Sequence, residues 1–335
     1  MDRRSFLKTT GAVAGAAALP AAAGASEAVR PVAPAVLRRH ERFTVATRFP
    51  LDQPGTFTVL QSLSQSLAAI TEGRIALAAP EHATEQNEAD LLLGFPDADG
   101  PLSIAHDIVA GRPNGFDEQA TAGWLTVAGG YRLWSEIALE GGRKVFYAGH
   151  TGAPLAWARQ DSYRDLTGLT IDTGGFAGRV VRLLGARTPS DDGVVEIVEG
   201  LSPLADTLHP TLTAFAAAAE SPFHSAGRML SMSMPIARFR ALSSGDQALL
   251  ETAIAAAAPL AGTELATHRR MARLTIERRN RPLSILFDRA LVRRIEQASA
   301  DLLSDAAKQH ATIAKLVASI EGFTRLTAPP ASLTS

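Results

Sequence analysis

The chain has 335 residues, 46% of them hydrophobic, with 33 Lys and Arg against 34 Asp and Glu. A formal net charge of −1 argues against a protein built to bind a polyanion such as nucleic acid. There is no Cys, which excludes disulfides, a lipid-attachment cysteine and a cysteine nucleophile and leaves the fold to core burial alone.

The first segment, MDRRSFLKTTGAVAGAAALPAAAGASEA, places Arg3 and Arg4 before Phe6, Leu7 and Lys8. An Ala/Gly stretch follows, broken by Pro20, and Ala23-Gly24-Ala25 meets the small-residue cleavage rule before Ser26. RRSFLK matches the twin-arginine export signal. Residues 1–25 are therefore read as a signal peptide, too short and alanine-rich for a membrane anchor. The mature chain is expected in the periplasm, not embedded in the membrane. Roughly 310 residues then remain, enough for two lobes of ordinary domain size.

RFTVATRF alternates as a strand, and Phe57, Leu60, Leu63, Leu67 and Ile70 recur at helical spacing up to Gly73. With the strand RIALAAP they predict a βαβ unit whose strands run parallel. ADLLLGFP predicts a further buried strand, residues 117–140 one helix, and RKVFYAG and PLAWA two more strands. DLTGLTID then predicts a strand that leads through glycines into a helix carrying Val180, Leu183 and Leu184. Such a glycine-rich helix start is a ready anion cradle, but Asp172 at the strand end repels anions. Alternation continues through GVVEIVEG to about residue 215, a pattern of α/β type.

GRMLSMSMP sets Leu230, Met232 and Met234 on one strand face, read as core. Ser244 and Gln247 suggest a capping box for a helix over 245–279, kinked near Pro259 and on the order of 50 Å long, able to span two lobes. Its arginine-rich run HRRMARLTIERRNRPL reads as a solvated helix face. PLSILF predicts a last strand, and Asp288 caps helices reaching about residue 320. Residues 26–40 and TAPPASLTS read as loose tails.

The eight His are scattered, without HxH or HExxH spacing, and no GxSxG elbow occurs. Asp191 and Asp192 sit in a turn-like segment. Neither a metal site, a cofactor site nor a catalytic constellation is expected.

The order of motifs from about residue 43 to 323 resembles the solute receptors of tripartite ATP-independent periplasmic (TRAP) transporters. In that family a segment like RPNGFDEQATAGWLTVAGGYRLWSEIA leads to a Gly-Asn-Thr-Gly turn, matched by Gly149 to Gly152. An Asp-Leu-Lys-Gly-Leu-Lys-Met-Arg strand and a glycine-rich helix start follow, matched by DLTGLTID and Gly175 to Gly178. LGA at 184–186, GVVEIVEGLSP and ALSSGDQALLETA also fit. The resemblance implies an α/β, two-lobed periplasmic solute-binding fold bridged by a long helix. It implies lobe 1 at 40–150 with return strands near 225–240, lobe 2 at 151–225, and the bridging helix, short strand and C-terminal helices at 245–323. It also implies a receptor that hands a small solute to TRAP permease subunits and is not an enzyme.

The departures mark a rebuilt pocket. The family's carboxylate-clamping Arg is Asp172, its turn Asn is His150, and the Trp beside the retained Glu199 is Gly200. A helical stretch between Thr188 and Gly193 is absent. The expected ligand-binding residues are His150, Thr151, Asp172, Glu199, Trp157 and Trp124, with the two carboxylates facing a cationic or neutral solute beside an aromatic wall. The alternative is a ligand-free accessory protein that keeps the fold, with Asp172 satisfied by Arg179, Arg182 or Arg159. A hydrolase using Asp172 and His150 as a base pair is the third reading.

Overall fold

The computed structural model describes residues 40–327 except 52, 54, 80, 83–88, 97–99, 190–193, 201–214 and 280–282. The signal peptide, both tails and the Asp191–Asp192 turn lie outside the described residues.

Period-2 alternation of apolar residues yields two main sheets. RFTVATRF is split at Thr44 into β1 (Glu41–Phe43) and β2 (Val45–Thr47), which enter different sheets. β1 pairs in parallel with β3 (Ile75–Leu77) across α1 (Thr56–Ile70), giving the expected βαβ unit. β2 pairs in parallel with β4 (Glu81–His82) and β5 (Leu91–Gly94). β6 (Arg143–His150) and β11 (Met229–Pro235) complete a five-stranded sheet of order β4-β2-β5-β11-β6. Leu230, Met232 and Met234 lie in its core, as their spacing predicts.

The second sheet has order β10-β7-β9-β8, with β7 (Leu155–Ala158), β8 (Ile171–Asp172), β9 (Ile197–Gly200) and β10 (Ala217–Glu220). β8 and β9 run parallel. Ala156, Ala158, Ile171 and Ile197 face one core with α5 (Gly175–Leu183), whereas Leu155, Trp157 and Ala218 face another.

α7 (Ser244–Arg278) is the long helix; α6 (Ile236–Arg240) precedes it. Leu250, Ile254 and Ala257 of its first half pack on the first sheet, Ala272 and Ile276 of its second half on the second. At 35 residues it is about 52 Å long. Its N-cap is Ser243, one residue before the predicted Ser244, and Gln247 bonds back to the Phe239 and Leu242 carbonyls. Among the described helices α7 alone is long and apolar enough to cross a membrane, yet its inward face is taken up by both cores. Within the arginine-rich run, Arg269 and Arg273 pair with Glu220 on β10.

The other helices are α2 (Ser103–Ala110), α3 (Glu118–Thr126), α4 (Gly130–Glu140), α8 (Arg289–Gln309) and α9 (Ala311–Thr327). The single helix predicted over 117–140 is two, because Gly129 takes a left-handed conformation (φ +78°) and ends the run. PLSILF is no strand: among its described residues only an isolated bridge, Phe287 to Tyr163, forms before Asp288 caps α8. α8 packs on α5 and α9 on α4, so the C-terminal hairpin is a second bridge between the sheets.

Candidate functional site

Carboxyl ends of parallel strands are where open α/β sheets leave crevices, because chain reversal into helices opens space there. Both sheets direct such ends toward one cluster. Phe95 follows β5, Thr173 and Gly174 follow β8, Glu199 is the last residue but one of β9, and Arg228 immediately precedes β11.

The Glu199 side chain is buried, 2% exposed. Its carboxylate accepts hydrogen bonds from Thr173 Oγ1 at 2.7 Å, from Ser221 Oγ and from His224 Nδ1 at 2.6 Å. Burial opposes its ionisation, but His224, Ser221 and Thr173 outweigh that and hold the carboxyl down at about 2. His224 is itself fully buried, and desolvation lowers its pKa against the pull of Glu199. At neutral pH the imidazole is therefore neutral, with its proton on Nδ1 toward Glu199. Nε2 then carries a buried lone pair that has no donor among the described residues.

Arg228 is 8% exposed, and burial lowers its pKa to about 10 against the charges of Glu199 and Asp107. Its guanidinium lies over the Phe95 ring, 3.4 Å from the centroid, and its buried Nε has no hydrogen-bond partner among the described residues. Phe95 is fixed edge-on by Phe49 at 5.0 Å. The guanidinium also borders the start of α5. Gly175 has φ +58°, and a Cβ there would come within 3.1 Å of Arg228 Nη2. Glycine is required by both the backbone conformation and this approach. Among the described residues no side chain caps α5, so its first N–H groups have no side-chain acceptor there. Asp107 on α2 is held by Arg179 Nε at 2.6 Å, tying α2 to α5 beside the cluster.

The expected site residues are dispersed. Ile171, Ile197 and Glu199 share one sheet face, and Asp172, in register with Val198 and Trp157, lies on the other. Asp172 and Glu199 therefore do not converge on one amine. Asp172 is exposed, and residual desolvation and the Glu199 charge raise its pKa. It forms no ion pair among the described residues: Arg179 goes to Asp107 and Arg159 to the Val195 carbonyl.

Trp124 is 2% exposed, bonded to Ser319 on α9, and so belongs to the core rather than to an aromatic wall. Trp157 is packed against Ala272 and Ile276 of α7, with its indole nitrogen unpartnered. His150 is buried, accepts from the Gly152 N–H at 3.1 Å, and is pushed down to about 4 by burial, a neutral core histidine and no base for Asp172. Thr151 bonds to Arg228 through the backbone, its N–H to the Arg228 carbonyl and its Oγ1 to the Arg228 N–H, and so positions that residue.

His224, Arg228, Ser221 and Asp107 are site residues that the sequence reading missed. The available signal was SPFHSAGR, a His and an Arg in a glycine-containing loop directly before a core strand.

The two-lobed α/β fold, with this cluster between its sheets, is similar to that of periplasmic solute-binding proteins. The likeness is to the TRAP type. A TRAP periplasmic solute-binding protein from Pseudoalteromonas atlantica, with bound sodium and pyruvate, superposes with TM-score 0.78 at 16% identity, over 86% of this chain and 95% of that one. One from Colwellia psychrerythraea, with bound calcium and pyruvate, gives 0.77 at 16% identity, over 86% and 98%. One from Bordetella bronchiseptica, with calcium and picolinate, gives 0.75 at 15% identity, over 86% and 95%. Residues 1–20 match the twin-arginine translocation (TAT) pathway signal sequence family, which places the chain on that export route to the periplasm. Among the described residues no group of three or more His, Asp or Glu could hold a metal ion.

Proposed function

We propose that the chain is the periplasmic receptor of a TRAP-type secondary transporter, which captures a small solute between its two sheets and delivers it to membrane permease subunits without chemical change. The observation that carries this reading is Arg228, a buried guanidinium stacked on Phe95 at the glycine start of α5, whose Nε is unbonded among the described residues. A short organic carboxylate suits that position, since a planar fork bonds it in bidentate fashion and the helix start adds backbone donors. Specificity is altered from the family pattern: Asp172 stands where the clamp Arg is expected, and Arg228 supplies the guanidinium from the chain segment before β11. A second reading, a cationic solute held by Asp172, is favoured by that carboxylate's lack of an ion-pair partner among the described residues.

A thermal-shift screen of the mature chain, residues 26–335, against lactate, pyruvate, amines and neutral sugars tests both. A ligand at ~100 times its Kd adds about 2.7 kcal/mol to the folded state. The expected result is a rise with carboxylates that Arg228→Gln removes and Asp172→Asn leaves in place. A rise with amines that Asp172→Asn removes would replace this reading by the cationic one. No shift with any class would point to a ligand-free accessory protein that keeps the receptor fold.

A further inference from the structure

Antiparallel helices joined by one residue normally close their facing stripes against each other. α8 and α9 do so near His310, but toward the other end of the hairpin they leave a cavity of about 340 Å³, within the size range of small-molecule sites. Its floor is apolar: Leu303 from α8, and Val317 and Ile320 from α9. Small residues on α8, Ala300 and Ser304, keep it open.

The charged groups around that floor do not balance. Arg112, on the loop after α2, reaches in above Phe116, 5.9 Å from the ring centroid, and makes no side-chain hydrogen bond among the described residues. Arg325 stands at the rim, 3.8 Å from Glu321. Glu321 is also the charge that Arg112 senses, so one carboxylate serves two guanidiniums. The loop bearing Arg112 is pinned to the hairpin by Asn114 to Glu296 at 2.8 Å and by Phe116 edge-on to Phe323 at 5.3 Å. Arg112 is thus held where it is, with one net positive charge over an apolar trough.

We propose that this cavity is a second ligand site, distinct from the Arg228 cluster, for an amphipathic monocarboxylate: the head pairs with Arg112 and the alkyl or aryl body lies on Leu303, Val317 and Ile320. Arg112 also borders a smaller cavity that reaches Trp124 and His150, so an occupant presses on the loop whose Gly111 abuts Gly227 and Arg228.

Calorimetric titration of the mature chain with octanoate, and with acetate as the headgroup alone, tests the site. Octanoate is expected to bind far more tightly than acetate, by about fourfold for each methylene buried. Arg112→Gln should weaken it by about tenfold or more, the worth of a hydrogen bond to a charged group. Ser304→Trp, which fills the trough from an exposed helix position, should abolish binding even if Arg112→Gln does not fold. Arg228→Gln should leave octanoate binding in place. The proposal is overturned if octanoate does not bind, if Ser304→Trp leaves its binding intact, or if Arg228→Gln removes it.

Discussion

Asp172 and Glu199 sit on neighbouring strands at the same end of the same sheet, and the structure treats them in opposite ways. Asp172 is exposed, has no ion-pair partner among the described residues and has a raised pKa. Glu199 is sealed in, accepts from Thr173, Ser221 and His224, and is held at about 2. The cause is the two-residue period of a strand: in the register Asp172 to Val198, the carboxylate one position on from Val198 lies on the opposite face. Proximity in the sheet therefore does not make a carboxylate pair. Glu199 is a structural anchor for the loop that carries His224 and Arg228, and Asp172 is a surface group at the cleft edge.

The sharpest way to break this contrast is to truncate each carboxylate. Glu199→Ala leaves two hydroxyls and a buried imidazole without their acceptor, and breaking a buried, hydrogen-bonded charge network of this kind costs about 3–5 kcal/mol. Urea denaturation should show an unfolding free energy lower by that amount. Equal, small losses for Glu199→Ala and Asp172→Ala would overturn the division of roles.

Acid should act next, and in a fixed direction. Glu199 is depressed from 4.5 to about 2, so its contribution is complete above its unfolded value and is lost as pH falls from 4.5 toward 2. His150 and His106 are lowered from 6.5 to about 4, so the unfolded chain binds their protons first and stability declines as pH falls from 6.5 toward 4. Each shift is worth on the order of 3 kcal/mol. Melting temperature should thus fall in two stages on acidification. Glu199→Gln should flatten the lower stage and leave the upper one.

A subtler test separates His224 from the carboxylate it serves. His224→Leu removes one of the three donors to Glu199, and the cost expected for a lost hydrogen bond to a buried charged group is about 1.5–3 kcal/mol. A loss as large as that of Glu199→Ala would mean that the imidazole, rather than the carboxylate, organises the cluster.

Much of the fold was legible because it depends on local period. The parallel βαβ unit, the core face of Leu230, Met232 and Met234, the Asp288 cap and the long helix all follow from spacings within a few residues. Failures occurred where a backbone choice or a tertiary partner decided. Gly129 broke one predicted helix into two, and the PLSILF segment found no continuous strand partner. The site was less legible for the same reason. Glu199 was named, but its donors lie 22 to 26 residues away and Arg228 meets Phe95 only because β11 inserts beside β5. No spacing along the chain encodes such meetings. Trp124 looked like a binding aromatic because its role in the core depends on α9, which arrives last in the sequence.

The smallest expected effect is also the one that bears most directly on the ligand. A raised folded-state pKa means that ionised Asp172 is disfavoured in the folded protein relative to the unfolded chain, so removing its charge at neutral pH should stabilise, and acidification should relieve the same strain. Because Asp172 is exposed, Asp172→Asn should raise stability by no more than about 0.5 kcal/mol. Its influence on binding has a definite sign as well. An anion at Arg228 meets the charges of Glu199 and Asp107 first, and Asp172, on the other face of the sheet from Glu199, acts on it only at longer range. Asp172→Asn should therefore tighten a carboxylate modestly and reduce the salt dependence of its binding. If the substitution instead weakens binding, Asp172 contacts the solute directly, and the cation-facing reading of this strand end takes precedence over Arg228.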